Sequence, residues 1–386
     1  MTKRNQSSKP KMAVIRQVRP SEALFYDAFQ RMDVRFIFTT QNPVSYPVKT
    51  KNLEFVNLEF KPKWLFDPIA NFNRGIYTNR SWVEITGLEK QLKDVDVVNT
   101  SSIFYVWSGQ EARLAKKLGK KLVSIVWENI PHHLSTFIPP YSFSVREVVK
   151  SADLFILRSK QALRFTDSLG ILRKKVKVIY KGVDLSMFHH CSPASPKRSR
   201  GRAKLKILYV GQLAVSKGVA DLLLAFAKLS KELKDIELLI AGAGPLEKMV
   251  RRFSQNYPVS YKGFIRYKNL PGLYRQADIF CSPSKDLKYL GLKVWDECFS
   301  YTLMEAQASG LPIVATRCGG ILEEVGKDNL LVEQGNIDSL CRALKKLIQD
   351  EALRKRLGRV NRKRAEKFFD LKKQAEKTEE VILEIL

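Results

Sequence analysis

The sequence lacks any apolar run of the length that crosses a bilayer. A transmembrane helix needs about 20 consecutive, mostly apolar residues, and no stretch of the 386-residue chain approaches this. The opening segment Met1–Lys11 is polar and basic and has no apolar core of a secretory signal. We therefore expect a cytoplasmic protein that is either free or peripheral on the inner face of the membrane.

Cysteine and histidine are also scarce. The five cysteines are odd in number, scattered and without C-x-x-C spacing, which argues against a disulfide framework and a cysteine zinc site. Two of the four histidines, His189 and His190, are adjacent, but no third ligand stands near them in the sequence. We expect reduced thiols and no bound metal.

Acidic residues are few, since 39 Asp and Glu oppose 67 Lys and Arg, giving a net charge of +28. Such an excess favours polyanions or an anionic membrane surface, or simply a solvated basic surface. Helix-turn-helix, zinc-finger and RNA-recognition signatures are missing, so nucleic acid is not expected as a partner. The sequence also has neither G-x-G-x-x-G nor the P-loop pattern, which excludes the usual dinucleotide and NTPase fingerprints.

Short apolar runs alternate with helical patterns along both halves of the chain. Strands separated by helices predict a parallel sheet covered by helices on both faces. The predicted strands are 35–39, 53–58, 95–99, 122–127, 153–157, 176–180, 206–210, 236–241, 259–262, 279–282 and 313–316.

Two such halves predict an α/β fold of two Rossmann-like, doubly wound domains facing a cleft. We expect domains at 1–188 and 205–368, joined by a basic linker at 189–204 that is rich in Pro, Ser, Lys and Arg. The basic tail should form several helices, and we expect the terminal helix 369–386 to cross back to the first domain. The stretch Lys61–Trp82 interleaves aromatic and basic residues and suits either a membrane or acceptor contact or a packed loop.

Glycines follow successive predicted strands of the second half. Gly211, Gly242 and Gly263 stand at the carboxyl ends of three strands, where a ligand crevice forms in an open sheet. Gln212 is next to the first of these glycines. Lys217 lies between the first strand and its helix, where it could supply a point charge for a diphosphate.

The stretch 295–312 places two carboxylates seven residues apart. Ser300 is a suitable N-cap and Gly310 a suitable helix stop, so Glu297 should lie in a loop and Glu305 on the helix that follows. Backbone amides at the start of a helix attract phosphate. The amides of the segment 300–302 are our candidates: Ser300, Tyr301 and Thr302.

The order of these features resembles glycosyltransferase family 4, which has the GT-B fold. The resemblance covers most of residues 205–360 and rests on VGQLAVSKG, LLIAGAGP, YKGF, LYRQADIFCSPS, EAQASGLPIVAT, CGGILEEV and DNLLVEQGN. In the first half it is carried mainly by ADLFILRSKQAL and YKGVDLSMF.

The resemblance implies transfer of a sugar from a nucleotide-sugar donor with retention at the anomeric carbon and with no metal or other cofactor. Lys217 resembles the lysine that holds the donor diphosphate, Glu297 the carboxylate that grips the sugar hydroxyls, and Glu305 the one that binds the ribose. Both glutamates are expected to be ionised hydroxyl acceptors. Glu128, which follows a first-domain strand, is the candidate that meets the acceptor or the donor sugar, with His133 behind it.

The sequence departs from the family pattern at several positions. Gln212 replaces an arginine partner of Lys217, Ser300 replaces a glycine, Cys298 replaces a small or amide residue, and Leu322 stands where proline is common. A glycine-rich loop is expected near the start, where Val18-Arg19-Pro20-Ser21 stands instead.

These observations favour a retaining glycosyltransferase acting on a lipid-linked or saccharide acceptor at the cytoplasmic membrane face. A soluble polysaccharide synthase of the same fold, a basic nucleic-acid-binding protein and a non-catalytic homologue remain the alternatives.

Overall fold

The computed structural model describes residues 9–16, 19–38, 50–61, 84–100, 102–189 and 204–386. The chain divides into two compact units, one of Met1–Lys181 with Leu371–Leu386 and the other of Gly182–Asp370. The predicted linker 189–204 lies outside the described residues except for its two end residues. Of the aromatic and basic stretch Lys61–Trp82, all residues after Lys61 also lie outside them, as does Val18.

The first unit is built on a seven-stranded parallel sheet of order β3-β2-β1-β6-β7-β8-β9. Its strands, together with a separate antiparallel pair formed by β4 and β5, are β1 Lys11–Ile15, β2 Asp33–Phe38, β3 Leu53–Asn57, β4 Phe60–Lys61, β5 Glu84–Ile85, β6 Val97–Thr100, β7 Lys121–Val126, β8 Leu154–Leu157 and β9 Val176–Val178. Its helices are α1 Pro20–Asp27, α2 Leu88–Leu92, α3 Val106–Lys117, α4 Tyr141–Ser151 and α5 Ala162–Ser168.

The second unit is built on a six-stranded parallel sheet of order β12-β11-β10-β13-β16-β17. Its strands, with the antiparallel hairpin β14–β15, are β10 Leu205–Val210, β11 Ile236–Ala241, β12 Val259–Tyr261, β13 Ile279–Ser282, β14 Leu287–Tyr289, β15 Leu292–Trp295, β16 Ile313–Thr316 and β17 Leu330–Val332. Its helices are α6 Val219–Glu232, α7 Glu247–Asn256, α8 Leu270–Arg275, α9 Tyr301–Ala308, α10 Ile321–Val325, α11 Ile337–Gln349 and α12 Glu351–Phe368.

The predicted parallel α/β architecture is confirmed, because every predicted strand overlaps an observed one. The inner strand β1 was not predicted, since its five residues follow directly on the polar start. The inner strands β6, β8, β13 and β16 are buried along their whole length, as expected for parallel strands covered on both faces, whereas the edge strands β3 and β9 are half-buried or exposed. Among the described helices, none combines the length and the apolarity needed to span a membrane.

The C-terminal helix α13, Leu371–Leu383, belongs to the first unit. This agrees with the expectation that the terminal helix crosses back to the first domain. Ala375 and Ile382 are buried in the same core as Phe25 and Phe36 of α1 and β2. The Glu379 carboxylate accepts hydrogen bonds from backbone amides of the loop after α1, at 2.6 Å from Arg31, 2.8 Å from Met32 and 3.2 Å from Gln30.

Candidate functional site

Three predicted glycines meet at the carboxyl edge of the second sheet. The Gly211 amide donates to the Ala241 carbonyl at 3.0 Å, and the Gly242 amide donates to the Gly263 carbonyl at 2.8 Å. Gly242 has φ +144°, and a Cβ there would lie 1.8 Å from the Gly211 carbonyl oxygen. Only glycine permits this approach, so the sheet edge presents bare backbone to any ligand in front of it. Gln212 is exposed beside them.

Lys217 and Glu297 are brought into contact although 80 residues separate them. The Lys217 ammonium forms an ion pair with the Glu297 carboxylate, and the ammonium also lies 4.7 Å from the centroid of the Trp295 ring. The Ser284 hydroxyl donates to the same carboxylate oxygen at 3.1 Å. Both side chains are largely buried, with 23% of Lys217 and 9% of Glu297 exposed. The sequence alone did not indicate Trp295 or Ser284.

The turn after β16 fixes the loop that carries Glu297. The Gly320 amide donates to the Glu297 carbonyl at 2.7 Å. A Cβ at Gly319, which has φ +48°, would lie 2.1 Å from the same carbonyl oxygen, and one at Gly320 would lie 2.1 Å from the Cys298 carbonyl oxygen. The backbone of Gly319 and Gly320 therefore packs directly against the loop that carries Glu297. Two adjacent glycines occur there because a side chain at either position would collide with this loop.

Helix α9 begins after Ser300, and Gly310, with φ +67°, follows its end, as predicted. The Ser300 amide, however, donates to the Glu324 carboxylate at 2.8 Å, so the prediction that this amide is free for a phosphate is wrong. The Ser300 hydroxyl is 3.0 Å from the Thr302 hydroxyl instead of capping the helix. Tyr301 and Thr302 form the first turn, as predicted.

Glu324 was not identified from the sequence. It is fully buried on α10, and burial raises its pKa well above the ordinary value. Its second carboxyl oxygen has no hydrogen-bond partner within the protein. The buried acid thus holds the start of α9 in place through a single amide.

Glu305 lies on α9 with 3% of its surface exposed. The Tyr274 hydroxyl donates to its carboxyl group at 2.7 Å. Burial raises the pKa of Glu305 to about 8, although the Tyr274 hydrogen bond acts in the opposite direction. The expectation that both glutamates are ionised is therefore wrong for Glu305 in the unliganded protein, because the neutral acid predominates at pH 7.

The chain is similar to known glycosyltransferases. Residues 194–364 match the family model of glycosyl transferases group 1. The chain carries a glycosyl transferase group 1 domain. It is 26% identical to sulfoquinovosyl transferase SQD2 of Arabidopsis thaliana over 71% of this chain and 54% of that protein. It is 28% identical to the GDP-mannose-dependent monoacylated alpha-(1-6)-phosphatidylinositol monomannoside mannosyltransferase of Corynebacterium glutamicum, over 70% of this chain and 74% of that protein.

Solved structures show the same fold. Anabaena Alr3699/HepE in complex with UDP and glucose superposes with a TM-score of 0.72 at 16% identity, over 97% of this chain and 99% of that one. Sucrose-phosphate synthase from Thermosynechococcus elongatus gives 0.71 at 16% identity, over 98% and 99%. These neighbours are GT-B glycosyltransferases, which confirms the predicted fold class. The match spans little more than half the length of several curated relatives, SQD2 among them.

The departures from the family pattern in the glycosyl transferase domain have different structural consequences. The Gln212 side chain is exposed, and only its backbone carbonyl accepts from the Tyr209 hydroxyl, at 2.7 Å, a contact that any residue at this position could make. Leu322 is 40% exposed.

Within the described residues, no group of three or more His, Cys, Asp or Glu side chains lies close enough together to hold a metal ion.

Glu128 and His133 belong to the first unit, outside the glycosyl transferase domain. The Glu128 carboxylate accepts from the Ser102 hydroxyl at 2.7 Å and from the Trp127 amide at 2.9 Å, and burial raises its pKa. His133 is buried, with its Nδ1 accepting from the Ser135 amide at 3.2 Å and its ring stacked on Phe104. These contacts give His133 a structural role in the turn.

A buried charge cluster stands where a glycine-rich loop was expected. Helix α1 begins at Pro20, directly after Arg19. In the first turn of α1, the Glu22 carboxylate forms ion pairs with Arg16 and with Lys181, the latter at 3.1 Å, and Arg16 donates to the Asn99 side chain at 3.0 Å. Arg16 follows β1, so this cluster lies at the carboxyl edge of the first sheet. The sequence analysis did not foresee it.

Proposed function

We propose that this chain is a retaining glycosyltransferase of family 4 that transfers a sugar from a nucleotide-sugar donor to a lipid-linked or saccharide acceptor at the cytoplasmic membrane face. The observation that carries the proposal is the contact of Lys217 with Glu297 in a domain whose neighbouring sheet edge is bare glycine backbone. The names of the relatives support it, since one is a phosphatidylinositol monomannoside mannosyltransferase and another is a D-inositol 3-phosphate glycosyltransferase.

Lys217 is the proposed diphosphate ligand. In the unliganded protein its ammonium is held by Glu297 and by the Trp295 ring. A donor diphosphate would compete for the ammonium, and the released Glu297 carboxylate would accept hydrogen bonds from the sugar hydroxyls. As the bond from the sugar to the diphosphate breaks, negative charge builds up on the leaving group, and a lysine in a largely buried site stabilises that charge.

Gly211, Gly242 and Gly263 are the proposed backbone wall of the donor site. Because glycine has no side chain, a nucleotide can approach these peptide groups directly, while Gln212 contributes a neutral side chain in place of a second cation. The amides of Tyr301 and Thr302 remain the proposed phosphate donors of α9. The Ser300 amide is not one of them, because Glu324 already accepts from it.

Glu305 is the proposed anchor of the ribose. Its burial keeps the carboxyl neutral in the unliganded protein, with Tyr274 as its hydroxyl neighbour. Two ribose hydroxyls would donate to the ionised carboxylate and lower its pKa, since hydrogen bonds to the charged form favour that form. Binding of the nucleotide is therefore proposed to release a proton near pH 7.

Glu128 is the proposed contact of the first unit with the acceptor or the donor sugar. Its raised pKa makes it a candidate for exchanging a proton with a substrate. The proposal includes no metal, since Lys217 and the helix amides would supply the positive charge that a divalent cation supplies elsewhere.

The test is nucleotide release from nucleotide sugars in the presence of membrane lipid extracts. The wild type should release nucleotide with at least one donor and should do so equally in EDTA. Glu297→Gln and Lys217→Ala should each lower release by about a hundredfold, since loss of one charge-stabilising group costs about 2.7–4 kcal/mol. Lys228→Ala, which removes an exposed ion pair on α6, is the matched control and should behave as wild type.

Equal release by the wild type and both site variants would refute the assignment of the site. Donor binding without any release, across all donors and extracts, would identify a non-catalytic homologue. The anomeric configuration of the isolated product, read from its proton coupling constants, would test retention independently.

A further inference from the structure

The hairpin β14–β15 carries an apolar tip that is unusually exposed. Leu290 is 86% exposed, Tyr289 52% and Leu292 54%. The chain reverses at Leu290 and Gly291, with Tyr289 paired to Leu292 across the two strands. Three large apolar side chains therefore project from a turn of two residues.

The backbone of this turn is unfavourable for leucine. Leu290 has φ +48° and Gly291 has φ +81°, so both central residues have the positive φ of a type I′ turn. Asn-Gly and Gly-Gly suit this turn, whereas a bulky residue such as leucine rarely adopts positive φ. A strained and exposed leucine indicates that its side chain serves a purpose other than the stability of the fold.

The shape of the tip favours a lipid partner. A stable protein interface buries about 800 Å² on each side and involves about 20–30 residues, which a convex turn with three apolar side chains does not provide. Insertion into a bilayer needs no complementary surface and gains free energy for each apolar side chain that leaves water. Tyrosine prefers the membrane interface, and Lys288, exposed beside the tip, can direct its ammonium to lipid phosphates.

The base of the hairpin is attached firmly to the proposed donor site. Lys293 forms ion pairs with Asp286 at 2.7 Å and with Asp296 at 3.7 Å, one residue before Glu297. Trp295, the last residue of β15, lies under the Lys217 ammonium. A strand rises about 3.3 Å per residue, so the tip lies roughly 13–17 Å from Trp295.

We propose that Tyr289, Leu290 and Leu292 insert into the interfacial layer of an anionic phospholipid bilayer. The hairpin would then hold the Lys217 and Glu297 site at a fixed, short distance from the lipid surface on which the acceptor is carried. The role of the hairpin in positioning the donor site rests on the proposed function. Insertion of the hairpin into a bilayer does not depend on that function.

The test is binding to vesicles of phosphatidylglycerol and phosphatidylcholine in equal amounts, measured by sedimentation at 150 mM and at 1 M NaCl. Leu290→Asn should lower the affinity for vesicles about tenfold at both salt concentrations, because an inserted leucine is an apolar contribution that salt does not screen. The same substitution should leave the midpoint of thermal unfolding unchanged or higher, since asparagine suits the turn. Leu292→Ser should lower the affinity similarly.

Leu172→Asn is the matched control, since Leu172 is 58% exposed on the first unit and should not affect vesicle binding. If the wild type does not bind the vesicles, or if both hairpin variants bind as the wild type does, the inference is overturned. Nucleotide release measured on the same proteins separates the two proposals. Loss of vesicle binding in the hairpin variants supports membrane insertion of the hairpin even if no protein releases nucleotide. Normal nucleotide release together with unchanged vesicle binding in the hairpin variants supports the proposed transferase function and refutes the insertion.

Discussion

Glu297 and Glu305 belong to one sequence motif but lie in two different environments. Glu297 faces an ammonium and a hydroxyl, whereas Glu305 is buried with a tyrosine hydroxyl as its neighbour. A charged partner favours the ionised form and desolvation favours the neutral form. Glu297 is therefore a carboxylate paired with a cation, whereas Glu305 is a carboxylic acid that can ionise when hydroxyl groups of a ligand donate to it.

The protonation of Glu305 predicts how the stability of the unliganded protein depends on pH. Its folded-state pKa of about 8 lies above the ordinary value of 4.5. The stabilisation from this group is therefore complete below about pH 4.5 and is lost as pH rises through about 8. Glu305→Gln keeps a neutral group at all pH values, so its midpoint of thermal unfolding should fall less than that of wild type between pH 6 and pH 9.

The control for this comparison is Glu232→Gln, which alters an exposed ion pair with Lys345. Its unfolding midpoint should follow the wild-type curve across the whole pH range. Parallel curves for wild type and Glu305→Gln would show that Glu305 is already ionised at pH 6.

At the residue scale, the sequence indicated the groups that stand directly after strands. Lys217 and the three glycines could be predicted because strand ends of a parallel sheet share one edge. Tyr274, Ser284 and Glu324 could not, because their contacts depend on which segments pack together across the sheet. Burial of a carboxyl group is likewise a tertiary property, so the raised pKa values of Glu305 and Glu324 were not foreseeable.

At the scale of elements, Gly358 shows how a local rule is overridden. Glycine is unfavourable in the interior of a helix, but this glycine lies inside the continuous helix α12. A Cβ at Gly358 would lie 2.3 Å from the Gly310 carbonyl oxygen. The glycine therefore permits α12 to pack closely against the end of α9, the helix that carries Glu305.

This contact predicts a destabilising Gly358→Ala substitution. In an open helix position, replacing glycine by alanine stabilises a protein by up to about 1 kcal/mol. Here the added methyl group meets a backbone carbonyl, so the free energy of unfolding should fall by about 1–3 kcal/mol. Urea unfolding measures this difference directly.

Gly272→Ala provides the matched control. Gly272 lies in helix α8, and the nearest atom to a Cβ there is the end of the Arg275 side chain at 3.8 Å. This variant should be neutral or slightly more stable than wild type. If the two variants had the same free energy of unfolding, the close packing of α12 on Gly310 would be refuted.

The elements themselves were predicted best where their apolar runs were long and bounded by turn signals. The strands β11, β13 and β16 have the bounds that the sequence indicated. The hairpin β14–β15 was missed, because its exposed Tyr289 and Leu290 break the alternation that identifies a strand. The sheet order could not be read either, since periodicity reports which residues are buried but not which strands are neighbours.

At the scale of the whole molecule, the chain returns to its first unit at its end. Helix α13 fills the core around α1, and Glu379, with 2% of its surface exposed, accepts from three backbone amides. Glu379→Ala should lower the free energy of unfolding by about 1–3 kcal/mol, because it leaves the buried Met32 amide and two partly buried amides without an acceptor. The loss should appear in the first unit only.

Amide hydrogen exchange can assign this effect to one unit. Protection of β1 and β2 should fall in Glu379→Ala, while protection of β10 and β11 should stay unchanged. Glu380→Ala, which removes an exposed carboxylate one residue further along α13, should change neither. Equal loss of protection in both units would contradict the assignment of α13 to the first unit.

The central claim is that the second unit binds a nucleotide-sugar donor through Lys217, and thermal unfolding with nucleoside diphosphates tests it most directly. UDP, GDP, ADP and dTDP are each added to the wild type, to Lys217→Ala and to Lys228→Ala. A ligand at about a hundred times its dissociation constant adds about 2.7 kcal/mol to stability. We expect at least one diphosphate to raise the unfolding midpoint of the wild type and of Lys228→Ala, and to raise that of Lys217→Ala far less. No shift with any of the four, or an equal shift in Lys217→Ala, would contradict the account.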